Sequence, residues 1–360
     1  MASAYRRIRQ WPSAVLALCL IAGCVPSGSS EESGSTGSTQ ATATDEPTST
    51  TTAVSDWVDY TNDALLMLEE NYLWSDRIDW QPIRETALRE VGVRSTTGGA
   101  HQALVAALTS LHDRHTYFVY PVGTRPIEPR GNYQDPVGRR LDGGIGYLTV
   151  PAFVGGQGLS SSYATNLHYA MWEVSEPSVC GWVVDLRLNT GGHLPPMILG
   201  VGPLVGEGVV ATYRGTEEPT TYEYRAPDLY LAGELAPERW GTLDTEPFPL
   251  AEPALPVAVL ISNLTTSAGE GVLVAFLGRP STRTFGTASA GLATGPTRFP
   301  LPDGAALVIT TVVAHDRTGR VYEAEIAPDE RIVDLFPDDE DDVVLAAAVA
   351  WLDTQACADR

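Results

Sequence analysis

The 360-residue chain has a formal charge of −22, with 45 Asp and Glu against 23 basic residues, all of them Arg, and no Lys anywhere. A surface this acidic repels phosphate backbones and anionic lipid headgroups, which argues against a nucleic-acid partner. At 43% hydrophobic content the chain can bury a sizeable core, as one large domain or two modest ones.

The N-terminus carries Arg6, Arg7 and Arg9, then an apolar run from Trp11 to Ala22, then Gly23-Cys24. A charged segment, a short apolar run and small residues before a cleavage point describe an export signal, and the run is too short to span a bilayer. Residues 1–23 therefore read as a signal peptide, and Leu20-Ile21-Ala22-Gly23-Cys24 resembles a bacterial lipobox in which Cys24 is acylated. Their removal takes three Arg and no acid, so the mature charge becomes −25. Residues 24–54 are almost wholly Ser, Thr, Gly, Ala, Pro and Glu, too polar to bury surface, and read as a linker. The expected location is the bacterial cell envelope, outside the cytoplasm, with membrane attachment by the lipid alone. Cys180 and Cys357 remain. They can pair, or Cys180 can simply be buried before the strand that follows it. No spacing suggests a metal site, and no cofactor is expected.

Residues 55–120 read as a helical subdomain. Amphipathic spacing between Asp56 and Glu90 predicts two or more helices, and His101 to Leu111 predicts another. Residues 121–143, rich in Pro, Gly and Arg, read as a loop. The remainder, 144–360, alternates strand and helix signals: Ile145 to Val150, then a helix over Ser160 to Val174. An apolar strand from Gly181 runs into the Gly191-Gly192 turn, and the apolar stretch Met197 to Leu204 follows it. Leu255 to Ile261 reads as a buried strand joined by the small-residue turn Thr265-Thr266-Ser267 to a helix. Short strands are expected over 282–286, 297–301, 306–313 and 320–326, with Asp303-Gly304 as a turn. Asp341 to Leu352 closes the chain as a helix. The acidic run Asp338 to Asp342 fits a helix N-terminus and needs no metal. This alternation is an α/β core.

Taken in order, these segments resemble the tail-specific, or C-terminal-processing, family of serine proteases, whose core has a crotonase-like α/β fold. The residues that carry the resemblance are Leu111 to Thr116, Ile145 to Leu148 with Phe153, and Asp185 to Gly192. Thr266 to Glu270, Gly286 to Gly291, Leu301 to Gly304 and Ile326 to Asp329 complete the set. Only about 25 residues separate the helical region from the first core strand, below the ~50-residue floor for a domain, so the peptide-gripping PDZ module of many members is missing. Many members also pair Ser with a Lys; Leu292 stands near that position here, and a chain without Lys cannot use that base.

The resemblance then implies the family's other arrangement, similar to tricorn protease, in which His activates Ser and a Glu assists. Ser267 is the expected nucleophile, placed at a helix N-terminus where free N–H groups stabilise developing negative charge. His115 is the expected general base, since imidazole near its ordinary pKa can take a hydroxyl proton at neutral pH. His112 is the nearest rival. Glu323 is preferred as the third member, with Glu325 two residues on. The resemblance assigns oxyanion donors to Gly191 or Gly192 and to the N–H of Ala268. A counterpart for the second Ser of tricorn is not identified, and Asp185 with Arg187 reads as a structural pair.

The implied activity is hydrolysis of extracytoplasmic polypeptides through an acyl-enzyme. The alternative is a catalytically inactive cell-surface binding module of the same fold. A thioester-active crotonase relative, the third reading, conflicts with the acidic balance. Arg125, Arg130, Arg139 and Arg140 suggest that 121–143 forms a flap over the active site, or else is a solvated loop.

Overall fold

The computed structural model describes residues 56–121, 134–155, 157–175, 179–216, 218–237, 243, 246–249, 255–333 and 342–355. The signal segment, Cys24, the linker, Arg125, Arg130 and Cys357 lie outside the described residues. The helices are α1 (Trp57–Asn71), α2 (Trp80–Val93), α3 (Thr97–Ser110), α4 (Gln157–Ser175), α5 (Leu194–Val205), α6 (Ala268–Phe276) and α7 (Val343–Asp353). The first strands are β1 (Tyr117–Val119), β2 (Gly138–Leu141), β3 (Ile145–Thr149), β4 (Gly181–Asp185), β5 (Gly208–Gly215), β6 (Thr220–Arg225), β7 (Asp228–Leu231) and β8 (Glu234–Leu235). They are followed by β9 (Val257–Ile261), β10 (Thr282–Gly286), β11 (Thr294–Pro300), β12 (Ala306–Asp316) and β13 (Glu330–Arg331).

Two sheets form a mixed α/β architecture. One has the order β13-β10-β9-β4-β3-β2, parallel throughout except for antiparallel β2 at its edge. Its strands read as unbroken apolar runs because both faces are covered, and successive side chains point to opposite faces. Trp182, Val184, Val257, Val259 and Ile261 enter the core shared with α4, α5 and α6. Val183, Ala258, Leu260 and Phe285 pack instead under α7, against Val344, Ala348 and Leu352. The second sheet is antiparallel, in the order β1-β12-β5-β6-β7-β8, with β11 on the other edge of β12. Helices α1 to α3 bury Leu65, Leu68, Leu104 and Leu108 against Phe118, Leu307 and Ile309 of this sheet. Asp303, in the β11–β12 turn, accepts from Tyr60 at 2.9 Å and faces His101 Nε2 at 2.7 Å, which seats the helices on the hairpin.

Three segments differ from expectation. Residues 121–143 include β2, whose half-exposed, polar residues carry no apolar period because the strand lies at a sheet edge. Within it Arg139 stacks over the Tyr147 ring at 4.4 Å and Arg140 donates to Val174 O at 3.0 Å, so these two arginines serve the edge strand and not a flap. Residues 320–326 are not a strand: only an isolated bridge between His315 and Val321 forms, and the chain turns away. The strand after Gly181 stops at Asp185 because Arg187 folds back onto that carboxylate. Cys180 is disulfide-bonded. Among the described residues no helix is long and apolar enough to cross a membrane.

The parallel sheet is the platform of the site, since Thr149, Asp185, Ile261 and Gly286 end four neighbouring strands on one edge. Truncating Leu260, fully buried between β9 and α7, removes contacts that this layer cannot replace by collapse. Leu260→Ala is expected to lower unfolding free energy by about 3 kcal/mol, read as a lower denaturant midpoint at unchanged slope.

Candidate active site

Between β9 and α6 the backbone turns sharply, and Ser267 sits at the turn with φ 53° and ψ −117°. A β-substituted residue in that region costs on the order of 1–3 kcal/mol and persists only where its surroundings enforce it. The enforcement is visible. Thr265 Oγ donates to Leu186 O at 2.9 Å, Thr266 N donates to Asn189 O at 3.0 Å, and Ser267 N donates to Glu270 Oε2 at 3.0 Å. The β4–α5 turn presses on the same spot. A Cβ at Gly191 would come within 2.9 Å of both the Ser267 Cβ and Thr266 O, and one at Gly192 within 1.8 Å of Phe153 O, so both positions require glycine.

Glu270, fully buried in the first turn of α6, holds this arrangement together. Besides the Ser267 amide it accepts from Ser289 Oγ at 2.5 Å, Gly291 N at 2.8 Å and Leu292 N at 2.7 Å. Burial raises its carboxyl above the usual carboxylate range, against the opposing pull of these donors. Ser289 Oγ in turn accepts from Ile326 N at 2.9 Å, which leaves its own proton for Glu270.

His115 arrives from the other sheet. After α3, exposed His112 adopts φ 54°, and the chain re-enters at β1. Asp113 fixes the turn: its carboxylate accepts from His115 N at 2.9 Å and from Thr116 Oγ and Thr310 Oγ, both at 2.6 Å. The buried His115 ring then places Nε2 3.0 Å from Ser267 Oγ, and Nδ1 2.6 Å from Thr294 Oγ at the start of β11. Burial lowers the imidazole pKa to about 4, with the Asp113 charge opposing and Arg114 reinforcing the shift. At neutral pH the ring is uncharged. That is the form able to take a proton from the serine hydroxyl.

Glu323, expected as the third member, is elsewhere. Because 320–326 is not a strand facing the site, its carboxylate meets Arg77 at 3.1 Å and Trp74 Nε1 at 3.3 Å on the surface, and those partners lower its pKa. Glu325 makes no hydrogen bond to His115 either. Of the candidate oxyanion donors, Gly191 N is already committed to Asn189 Oδ1 at 3.0 Å, so the expectation for Gly191 fails on a competing bond. The amides of Gly192 and Ala268 have no partner among the described residues. Sequence reasoning missed Thr294, Asn189 and the four-donor role of Glu270. The Asn-Thr-Gly-Gly run was the one available signal for Asn189; nothing local marks Thr294.

Beside the Gly191-Gly192 turn, at the carboxyl ends of the parallel strands, lies a cavity of about 800 Å³. Such a crevice is where open α/β sheets bind ligands. Among the described residues that line it the one arginine, Arg187, is clasped by Asp185 at 2.6 Å and Asp342 at 2.7 Å, Asp342 also capping α7 through Leu345 N.

A strand–turn–helix serine under strain, with a neutral imidazole on its hydroxyl, is the constellation of a serine hydrolase. The pattern that defines Peptidase family S41 matches residues 144–332, more than half of the chain, and the chain belongs to that family of C-terminal-processing proteases. It is 26% identical over 302 residues to the nisin-resistance protein of Lactococcus lactis subsp. lactis, covering 82% of this chain and 87% of that one. Among solved structures it resembles a lipoprotein from Streptococcus agalactiae, with a TM-score of 0.65 and 22% identity over 84% of this chain and 98% of that one. It also resembles the photosystem II D1 C-terminal processing protease, with a TM-score of 0.55 and 16% identity over 81% and 97% of the two chains. At these identities the two structures speak for the fold.

Replacing Glu270 by Gln puts an amide N–H₂ where two donors point. Glu270→Gln is expected to cost about 3 kcal/mol in a urea titration, because buried donors left facing a donor keep their full desolvation penalty.

Proposed function

We propose that this S41 member is a serine endopeptidase of extracytoplasmic polypeptides, working on a crotonase-like core and tethered to the bacterial cell envelope by a lipid on Cys24. The observation that carries the reading is the 3.0 Å contact between His115 Nε2 and Ser267 Oγ, with an imidazole held neutral by burial. Ser267 Oγ attacks the scissile carbonyl carbon as its proton passes to His115 Nε2. The oxyanion is received by the unpartnered amides of Gly192 and Ala268. Collapse breaks the C–N bond, His115 returns the proton to the leaving amine, and the acyl group stays on Ser267. Water, giving a proton to His115 Nε2, then attacks the ester carbonyl, and as the C–O bond breaks His115 returns that proton to Ser267 Oγ and the acid is released. Similarity to a lipoprotein and to a nisin-resistance protein supports the envelope location. The binding-module alternative expects an occluded serine. Ser267 is half-exposed beside its base, and that favours the enzyme.

Purified residues 55–360 are expected to be labelled at Ser267 by a fluorophosphonate probe and to cleave denatured casein. Ser267→Ala and His115→Ala should each lose about 10³-fold or more in kcat/KM, and the double variant little beyond that, because the members act as a unit. Unchanged casein cleavage by either single variant would overturn the reading. Activity should also persist into acid: neutral His115 is the working form, so kcat/KM is expected to fall only as pH drops through the region of pH 4 and to be flat from about pH 5.5 to 7. A limb centred near 6.5 would contradict a desolvated base.

A further inference from the structure

We infer that Thr294 is the positioning residue for His115, accepting a hydrogen bond from Nδ1–H and so fixing the tautomer whose Nε2 is free to take the Ser267 proton. This inference rests on the proposed roles of Ser267 and His115.

A neutral imidazole has one donor and one acceptor nitrogen, and a hydroxyl can serve either, so the contact fixes the ring's orientation and the inferred tautomer is the one in which the Thr294 hydroxyl accepts. Nε2 can act as base toward Ser267 only if the proton resides on Nδ1. Nδ1 lies 2.6 Å from Thr294 Oγ, and Thr294 is 5% exposed, so water does not compete for that contact. The neighbouring carboxylates are occupied elsewhere. Asp113 serves the His115 amide, Thr116 and Thr310; Glu270 serves Ser267, Ser289, Gly291 and Leu292; Glu323 serves Arg77 and Trp74. The charged groups that act on the ring are Asp113 and Arg114, both beside it in sequence.

The position of the hydroxyl is itself fixed. Thr294 opens β11 opposite Val313, Ala314 N donates to Ala293 O at 2.9 Å, and the preceding Gly291 and Leu292 amides are held by Glu270. One buried carboxylate therefore holds both the nucleophile's amide and the loop that delivers Thr294. Leu292, near the place of the lysine in Ser–Lys relatives, contributes only its backbone to this loop. A neutral acceptor orients the ring without adding an anion to stabilise imidazolium, in keeping with the low imidazole pKa.

The experiment compares the parent, Thr294→Val and Thr294→Ser by rate of fluorophosphonate labelling, thermal midpoint and ¹⁵N spectra of the histidine rings. Val keeps the shape and loses the acceptor; Ser restores it. The valine variant is expected to label about 10- to 100-fold more slowly at an unchanged midpoint, with the serine variant within about threefold of the parent. In the parent the His115 proton should reside on Nδ1, and in the valine variant it should spread over both nitrogens. Equal labelling by valine variant and parent, or equal loss in the valine and serine variants, would overturn the inference. If the parent is not labelled at all, the nucleophile assignment fails, and the ring spectra still decide about Thr294: an Nδ1–H lost only in the valine variant supports it, an unchanged tautomer sinks it.

Discussion

The carboxylate of Glu270, sealed inside the protein with four donors on two oxygens, is the constraint on which the site depends. An isolated buried anion is prohibitively costly, and this one is tolerable only because every approach to it is a hydrogen bond. Its partners come from two places distant in sequence, the Ser267 amide and the Ser289–Leu292 loop. The contact thereby closes the gap between the parallel sheet, which supplies Ser267, and the antiparallel sheet, which supplies His115 and Thr294.

On the proposed reading, that division gives each sheet one partner of the pair, Ser267 on the parallel sheet and His115 beside the antiparallel one. The parallel sheet ends four strands on one edge and lets a short, fully buried helix start there, an arrangement that exposes a strained serine. The antiparallel sheet carries the β12 strand onto which the Asp113 turn is fastened through Thr310. Neither sheet alone holds both Ser267 and His115. Helix α3 ends just before that turn, and α1 to α3 together pack on Leu307 and Ile309 of the strand to which the turn is fastened. Asp185, Arg187 and Asp342 do a comparable job at the far side, tying the last helix to the strand that leads into the Gly191-Gly192 turn.

Much of this was legible in the chain itself. The apolar run ending at Ile261, the small-residue turn and the helix after Ser267 were readable because a doubly covered strand and a buried helix leave unmistakable patterns. The acidic run before α7 was readable as the approach to a helix N-terminus, and Asp342, its one described residue, caps that helix. The choice of His115 among six histidines came from the resemblance to the tail-specific proteases, carried by the Asp-Arg-His-Thr segment. What could not be read depends on distant pairing. β2 lacks a period because it is an edge; 320–326 reads like a strand yet meets the end of β12 at a single bridge, His315 to Val321, before the chain turns away. Glu323 is close to the right place in sequence, but its carboxylate is captured by Arg77 from the helical unit. Thr294 is an ordinary β-residue in a Thr-rich strand, and only the meeting of two sheets gives its hydroxyl an imidazole to hold.

The central claim is that His115 and Ser267 form one reacting unit, and a peptide chloromethyl ketone tests it in a single experiment. Such a reagent is held at the serine and alkylates the imidazole nitrogen that faces it. Peptide mapping by mass spectrometry is predicted to find one modified residue, His115, with loss of hydrolysis in proportion to modification. Alkylation at another histidine, or a fully modified His115 in a protein that still hydrolyses its substrate, would contradict the account.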